Sequence, residues 1–87
     1  MILGRVIGEI HGTIKHRFYE GRRLLVVEKI APDGKASGDY LIAVDSVGAG
    51  ADETVLVLDE GNGARQVLDS KDGPVRSVVV GIVDDIF

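Results

Sequence analysis

The sequence predicts a mainly β fold, a small five-stranded barrel carrying one short helix, and three observations lead there. The dominant period among the apolar residues is two, the side-chain repeat of a strand. Five such stretches follow one another, separated by segments rich in Gly, Pro and Asp that cannot hold a long helix. The window Val78-Val79-Val80-Gly81-Ile82-Val83 combines high β-propensity with no charge and no proline. That composition aggregates unless barrel closure, a neighbouring subunit or both cover it.

The first strand starts at Ile2. Its even positions Ile2, Gly4, Val6, Gly8, Ile10, Gly12 and Ile14 are apolar or bare, while the odd ones include Arg5, Glu9, His11 and Thr13. Glycine at every fourth residue of the apolar face predicts strong bending or the close approach of another backbone. A loop from Lys15 to Arg23 leads into the second strand, Leu24 to Ile30, which is apolar on both sides at its start. Pro32-Asp33-Gly34 is a turn, with Pro fixing φ and Gly free to take a positive value. Three further strands are predicted at Tyr40 to Val47, Thr54 to Leu58 and Val75 to Val83. Gly48 to Glu53 is too short and too rich in glycine for a helix and reads as a tight loop. Before the last strand, Asn62 is placed to cap a helical segment from Gly63 to Leu68, which ends at Asp69-Ser70 and the Lys71-Asp72-Gly73-Pro74 turn. Two helical turns do not persist alone in water, so this segment should plug or cover the sheet.

Eighty-seven residues and 9.3 kDa imply a single domain spanning 1–87. Folding buries about 63% of a chain this size, and at ~25 cal/mol per Å² the apolar part returns about 130 kcal/mol. Ordering the chain at ~1.5 kcal/mol per residue costs about the same. Small domains commonly make up such a deficit with disulfides, a metal or subunit association. There is no cysteine, which removes disulfide frameworks and Cys-based zinc folds and leaves association in front. Ten basic against fourteen acidic residues give a net charge of −4, the wrong sign for a phosphate-backbone binder. No signal peptide is readable in MILGRVIGEI, and no apolar run approaches the ~20 residues of a membrane helix. A cytosolic protein is therefore the expectation.

Catalytic patterns are not found. The histidines His11 and His16 are five apart, so in a strand they point to opposite faces, and neither a zinc-protease helix motif, a nucleophile elbow nor a phosphate loop is present. No metal site and no cofactor are expected. The acids Asp52, Glu53, Asp59, Glu60, Asp84 and Asp85 fall at strand ends or turns, where carboxylates are solvated or cap loop amides. Asp45 differs, because it interrupts an apolar strand just before the glycine loop, a position suited to accepting backbone hydrogen bonds. The one basic cluster, Lys15, Arg17, Arg22 and Arg23, is interleaved with Phe18 and Tyr19. It could stack on bases in an OB-type groove or be a solvated or subunit-facing loop.

Taken in order, these segments resemble the EutN/CcmL vertex proteins of bacterial microcompartment shells. The opening pattern is met by Met1, Leu3, Gly4, Val6 and Gly8, then Thr13 and Lys15, and the next by Gly21, Arg23, Leu24 and Leu25. The most distinctive segment stands unchanged as Ala43-Val44-Asp45-Ser46-Val47-Gly48-Ala49-Gly50, followed by Val55 to Leu58, Ala64-Arg65 and Gly81-Ile82-Val83-Asp84. Two positions depart: Asp52 stands where many relatives have Gly, and Arg76 where the family often has Asp. The resemblance implies an OB-like barrel that forms a homopentamer and closes five-fold corners beside hexameric shell proteins in the cytoplasm, without enzymatic activity, membrane attachment or nucleic acid. It suggests Gly48, Ala49 and Gly50 as the loop near the axis, with Lys15, Asp45, Arg65 and Arg76 as structural or interface residues. The remaining alternative is an OB-type module binding single-stranded nucleic acid or oligosaccharide.

Overall fold

The computed structural model describes residues 1–12, 17–71, 73 and 75–85. Its strands are β1 (Ile2–Glu9), β2 (Leu24–Ile30), β3 (Ala36–Asp45), β4 (Thr54–Asp59) and β5 (Ser77–Ile82), with a 3-10 turn at Arg17–Tyr19 and one helix, α1 (Gly61–Val67). The sheet closes on itself in the order β1-β2-β3-β5-β4. Four of the five pairings are antiparallel, and the seam between β3 and β5 is parallel, with Val44 opposite Val78 and Asp45 opposite Val79. The hazardous window is covered in part: Val79 is buried inside the barrel and Val78 under the outer cluster, while Ile82 stays 37% exposed.

Period two sets the interior. Val6, Leu25, Val27, Ala43, Val55, Val57 and Val79 point inward and meet with Ala49 in one core. Gly4 lies on that inner face because a Cβ there would stand 2.3 Å from Val27 Cγ1, the close approach anticipated for this strand. Ile7, next to inward Val6, faces outward and is 46% exposed, and the register between β1 and β2 shifts between Val6 and Gly8, so that Gly8 rather than Ile7 stands opposite Val26. β1 stops at Glu9 rather than running on toward Ile14; residues 13 to 16 lie outside the described residues.

A second cluster sits outside the wall. Val44, Ala64, Val75 and Val78 are buried there against Phe18, Tyr19, Leu24, Leu58, Leu68 and Val80. Helix α1 therefore does cover the sheet, through Ala64. Its start differs from the expectation: the N-cap is Glu60, which makes no side-chain cap bond, and Asn62 lies inside the helix, where its Oδ1 accepts from Arg65 Nη2. β3 begins four residues earlier than the apolar pattern suggested, because Ala36 to Asp39 are exposed and held by their pairing with β2. β5 begins at Ser77, with Val75 assigned to the outer cluster instead. The described barrel leaves 5500 Å² accessible, against roughly 5,000 Å² expected for a compact monomer of this mass.

Candidate functional site

Three charged side chains from three strand ends meet at one mouth of the barrel. The antiparallel pairing of β1 with β2, and of β2 with β3, brings Glu9, Arg23 and Asp45 together. Arg23 donates from Nε and Nη2 to Glu9 Oε1 at 3.0 and 2.7 Å, and from Nη1 to Asp45 Oδ2 at 2.8 Å. The hydrogen bonds that Arg23 donates to Glu9, together with the two nearby carboxylate charges, raise the Arg23 pKa above its ordinary value.

Asp45 organises the following loop. Its side chain is only 4% exposed, and its carboxylate accepts from the amides of Val47 at 3.1 Å, Gly48 at 3.0 Å and Ala49 at 3.2 Å. Three successive amides can converge on one carboxylate because Gly48 sits at φ 78°, a left-handed conformation that a Cβ disfavours. The loop then turns inward, and Ala49 is fully buried in the barrel core. A large residue at Ala49 would therefore disrupt the subunit itself. Farther on, Glu53 accepts from the Gly50 amide at 2.6 Å, and Asp52 takes φ 68°. The first departure from the family pattern thus falls where a glycine is conformationally easiest, and Asp is among the residues that best tolerate that geometry.

The other sequence-selected residues are dispersed. Arg65 folds back over its own helix toward Gly61 and Asn62. Arg76 is 79% exposed and reaches Asp59 Oδ1 with Nε at 3.2 Å. That carboxylate also accepts from Ser77 Oγ at 2.6 Å, and the Ser77 bond, with help from Arg76, holds Asp59 below its ordinary value. Lys15 and His16 lie outside the described residues. His11 is 80% exposed beside Glu9. Among the described residues no three His, Cys, Asp or Glu side chains converge to hold a metal, and no helix is long and apolar enough to cross a membrane.

The aromatic pair is engaged internally. Phe18 and Tyr19 meet edge to face at 5.0 Å, and the Arg22 guanidinium lies 4.5 Å over the Phe18 ring while its Nε donates to the Phe18 carbonyl. Both rings also pack on the outer cluster. A stacking platform needs free ring faces, and this arrangement weakens the nucleic-acid alternative. The sequence reading missed Glu9 and Glu53 as loop supports and the Ser77–Asp59 bond. The available signal was opposite charge at strand ends, which becomes informative only once the register is known.

Residues 1–84 match the EutN_CcmL family, described as ethanolamine utilisation protein EutN/carboxysome. The bacterial microcompartment shell vertex protein EutN of Escherichia coli K12 is 41% identical over 86 residues, covering 99% of this chain and 90% of its own. The carboxysome shell vertex protein CcmL of Thermosynechococcus vestitus is 38% identical, with 99% and 86% covered. The solved structure of the GrpN pentameric microcompartment shell protein from Rhodospirillum rubrum superimposes with a TM-score of 0.87 at 39% identity, covering 100% of this chain and 98% of that one. Motifs, closed barrel and end-to-end similarity agree, and the chain belongs to the EutN/CcmL family.

Proposed function

We propose that this chain is a structural shell protein that forms homopentamers and caps the five-fold vertices of a bacterial microcompartment. The observation that carries the reading is similarity along nearly the whole chain to proteins named as shell vertex proteins, one of them a pentamer in its solved structure. The protein acts by shape and performs no catalysis. Hexagonal tiles alone make flat sheets or tubes, so a closed polyhedron needs five-fold units at its corners.

Several finer assignments belong to the same proposal. The compartment lies in the bacterial cytoplasm, and the outer rim of the pentamer meets the edges of hexameric shell proteins. The exposed side chains of Asn62, Gln66 and Val67 on α1, with the turn that follows, support placing that rim there. The Gly48-Ala49-Gly50 loop faces the five-fold axis, which its lack of any side chain larger than methyl supports. Because Ala49 is buried, Ala51→Trp at the exposed neighbour is the informative change: it should block the ring if the loop crowds the axis and leave the assembly mass unchanged if it does not. Deleting the gene from a shell-forming operon with no paralogue tests the function. Facets should assemble but fail to close, giving elongated or leaky particles, and sealed polyhedra would refute the vertex role.

A further inference from the structure

A cyclic ring joins unlike faces, so each subunit must offer two different surfaces. We propose that the β1-β2-β3 outer face of one subunit, centred on Ile42, packs on the β1-β4-β5 outer face of the next, centred on Leu56. This inference rests on the pentamer reading above and assigns its contact.

The first face follows from β3. Val44, Ile42 and Tyr40 point outward at alternate positions. Val44, at 2% exposure, is covered by the chain's own outer cluster, whereas Ile42 and Tyr40 are 48% and 56% exposed. The apolar strip thus continues beyond its own cover. Half-buried Val26 flanks Ile42 in register and is itself opposite Gly8, beside the outward Ile7. Among the described residues β3 pairs with β5 at Val44 and Asp45 alone, so its earlier residues have no described strand partner on that side, an edge that proteins normally cover. A groove of about 420 Å³ runs alongside, lined by Ile42, Leu41, Leu24 and Arg76 among others.

The second face has matching relief. Leu3, Leu56 and Gly81 are in register across β1, β4 and β5, and they face outward because their neighbours Gly4 and Val55 are turned in. Both leucines are half-buried, and Gly81 leaves the sheet surface bare. This makes a shallow apolar seat for the protruding Ile42 and Tyr40. Charge is complementary as well. Arg76 borders the first face and holds Asp59 through Nε alone, while exposed Asp84 and Asp85 follow β5 beside the second. In the order round the barrel, β4 is not adjacent to β2 or β3, so the two faces lie on different sides, as a ring requires.

The chain has no cysteine, which allows a direct test. Ile42→Cys and Leu3→Cys are made singly and together and treated with a short bis-maleimide. The double variant should give a covalent ladder ending at five chains, each single variant alone should give none, and an equal mixture of the singles should stop at dimers. A companion variant, Ile42→Asp, should lose the pentamer while keeping its far-ultraviolet circular dichroism. Self-linking of either single variant, or a double variant that stays unlinked while the unmodified chain is pentameric by native mass spectrometry, would overturn this interface and leave the vertex reading intact. An unmodified chain that forms no pentamer would overturn both.

Discussion

The two connections that bracket β4 are held by different physics. The one from β3 to β4 is clamped by carboxylates: Asp45 binds three consecutive amides and an arginine, and Glu53 binds the Gly50 amide. The one from β4 to β5 contains α1, whose N-cap makes no side-chain bond and whose seven residues are anchored through buried Ala64. The first loop is specified by hydrogen-bond geometry and tolerates little change. The second is specified by packing and leaves room for improvement.

The largest effect should come from the clamp. Asp45→Ala leaves three loop amides without their acceptor and should cost about 3 kcal/mol, lowering Tm by roughly 12–24 °C at fixed protein concentration. Asp45→Asn, which keeps an acceptor but not the charge, should fall between the two. Ala64→Leu attacks the packed connection instead. Overpacking the site where α1 meets the sheet should cost about 1–3 kcal/mol in denaturant unfolding. Glu60→Ser goes the other way by supplying the missing cap, and should stabilise by about 0.5–1 kcal/mol; no gain would mean that the helix start does not limit this region.

The smallest effect is electrostatic. The folded Asp59 carboxyl titrates below its ordinary value of 3.8, chiefly because Ser77 donates to it. Its stabilising contribution is therefore present above the unfolded aspartate value and is lost as pH falls through the folded one. Ser77→Ala should move the Asp59 titration upward in a carboxyl-carbon NMR experiment and weaken the pH dependence of stability below about pH 4. An unmoved titration would show that Ser77 is not the cause.

How far the sequence could be read follows the same division. β2 and β4 were legible because the apolar runs Leu24 to Val27 and Val55 to Leu58 make up most of each, and Asp45 stood out as an acid in an apolar strand before glycines. The first half of β3 was hidden because Ser37, Gly38 and Asp39 bury nothing and are held by β2. The helix start was misplaced because Asn62 has the chemistry of a cap but lies one residue inside α1. The clamp of Glu9 and Arg23 on Asp45 spans separations of 14 and 22 residues, so only the barrel register brings it together. The family resemblance reached the assembly, whereas composition alone reached only the need for a partner.

Native mass spectrometry of the unmodified chain at micromolar concentration tests the central claim most directly. A ring of 5 × 9.3 = 46.5 kDa is the expected dominant species. A dominant 9.3 kDa monomer would contradict it.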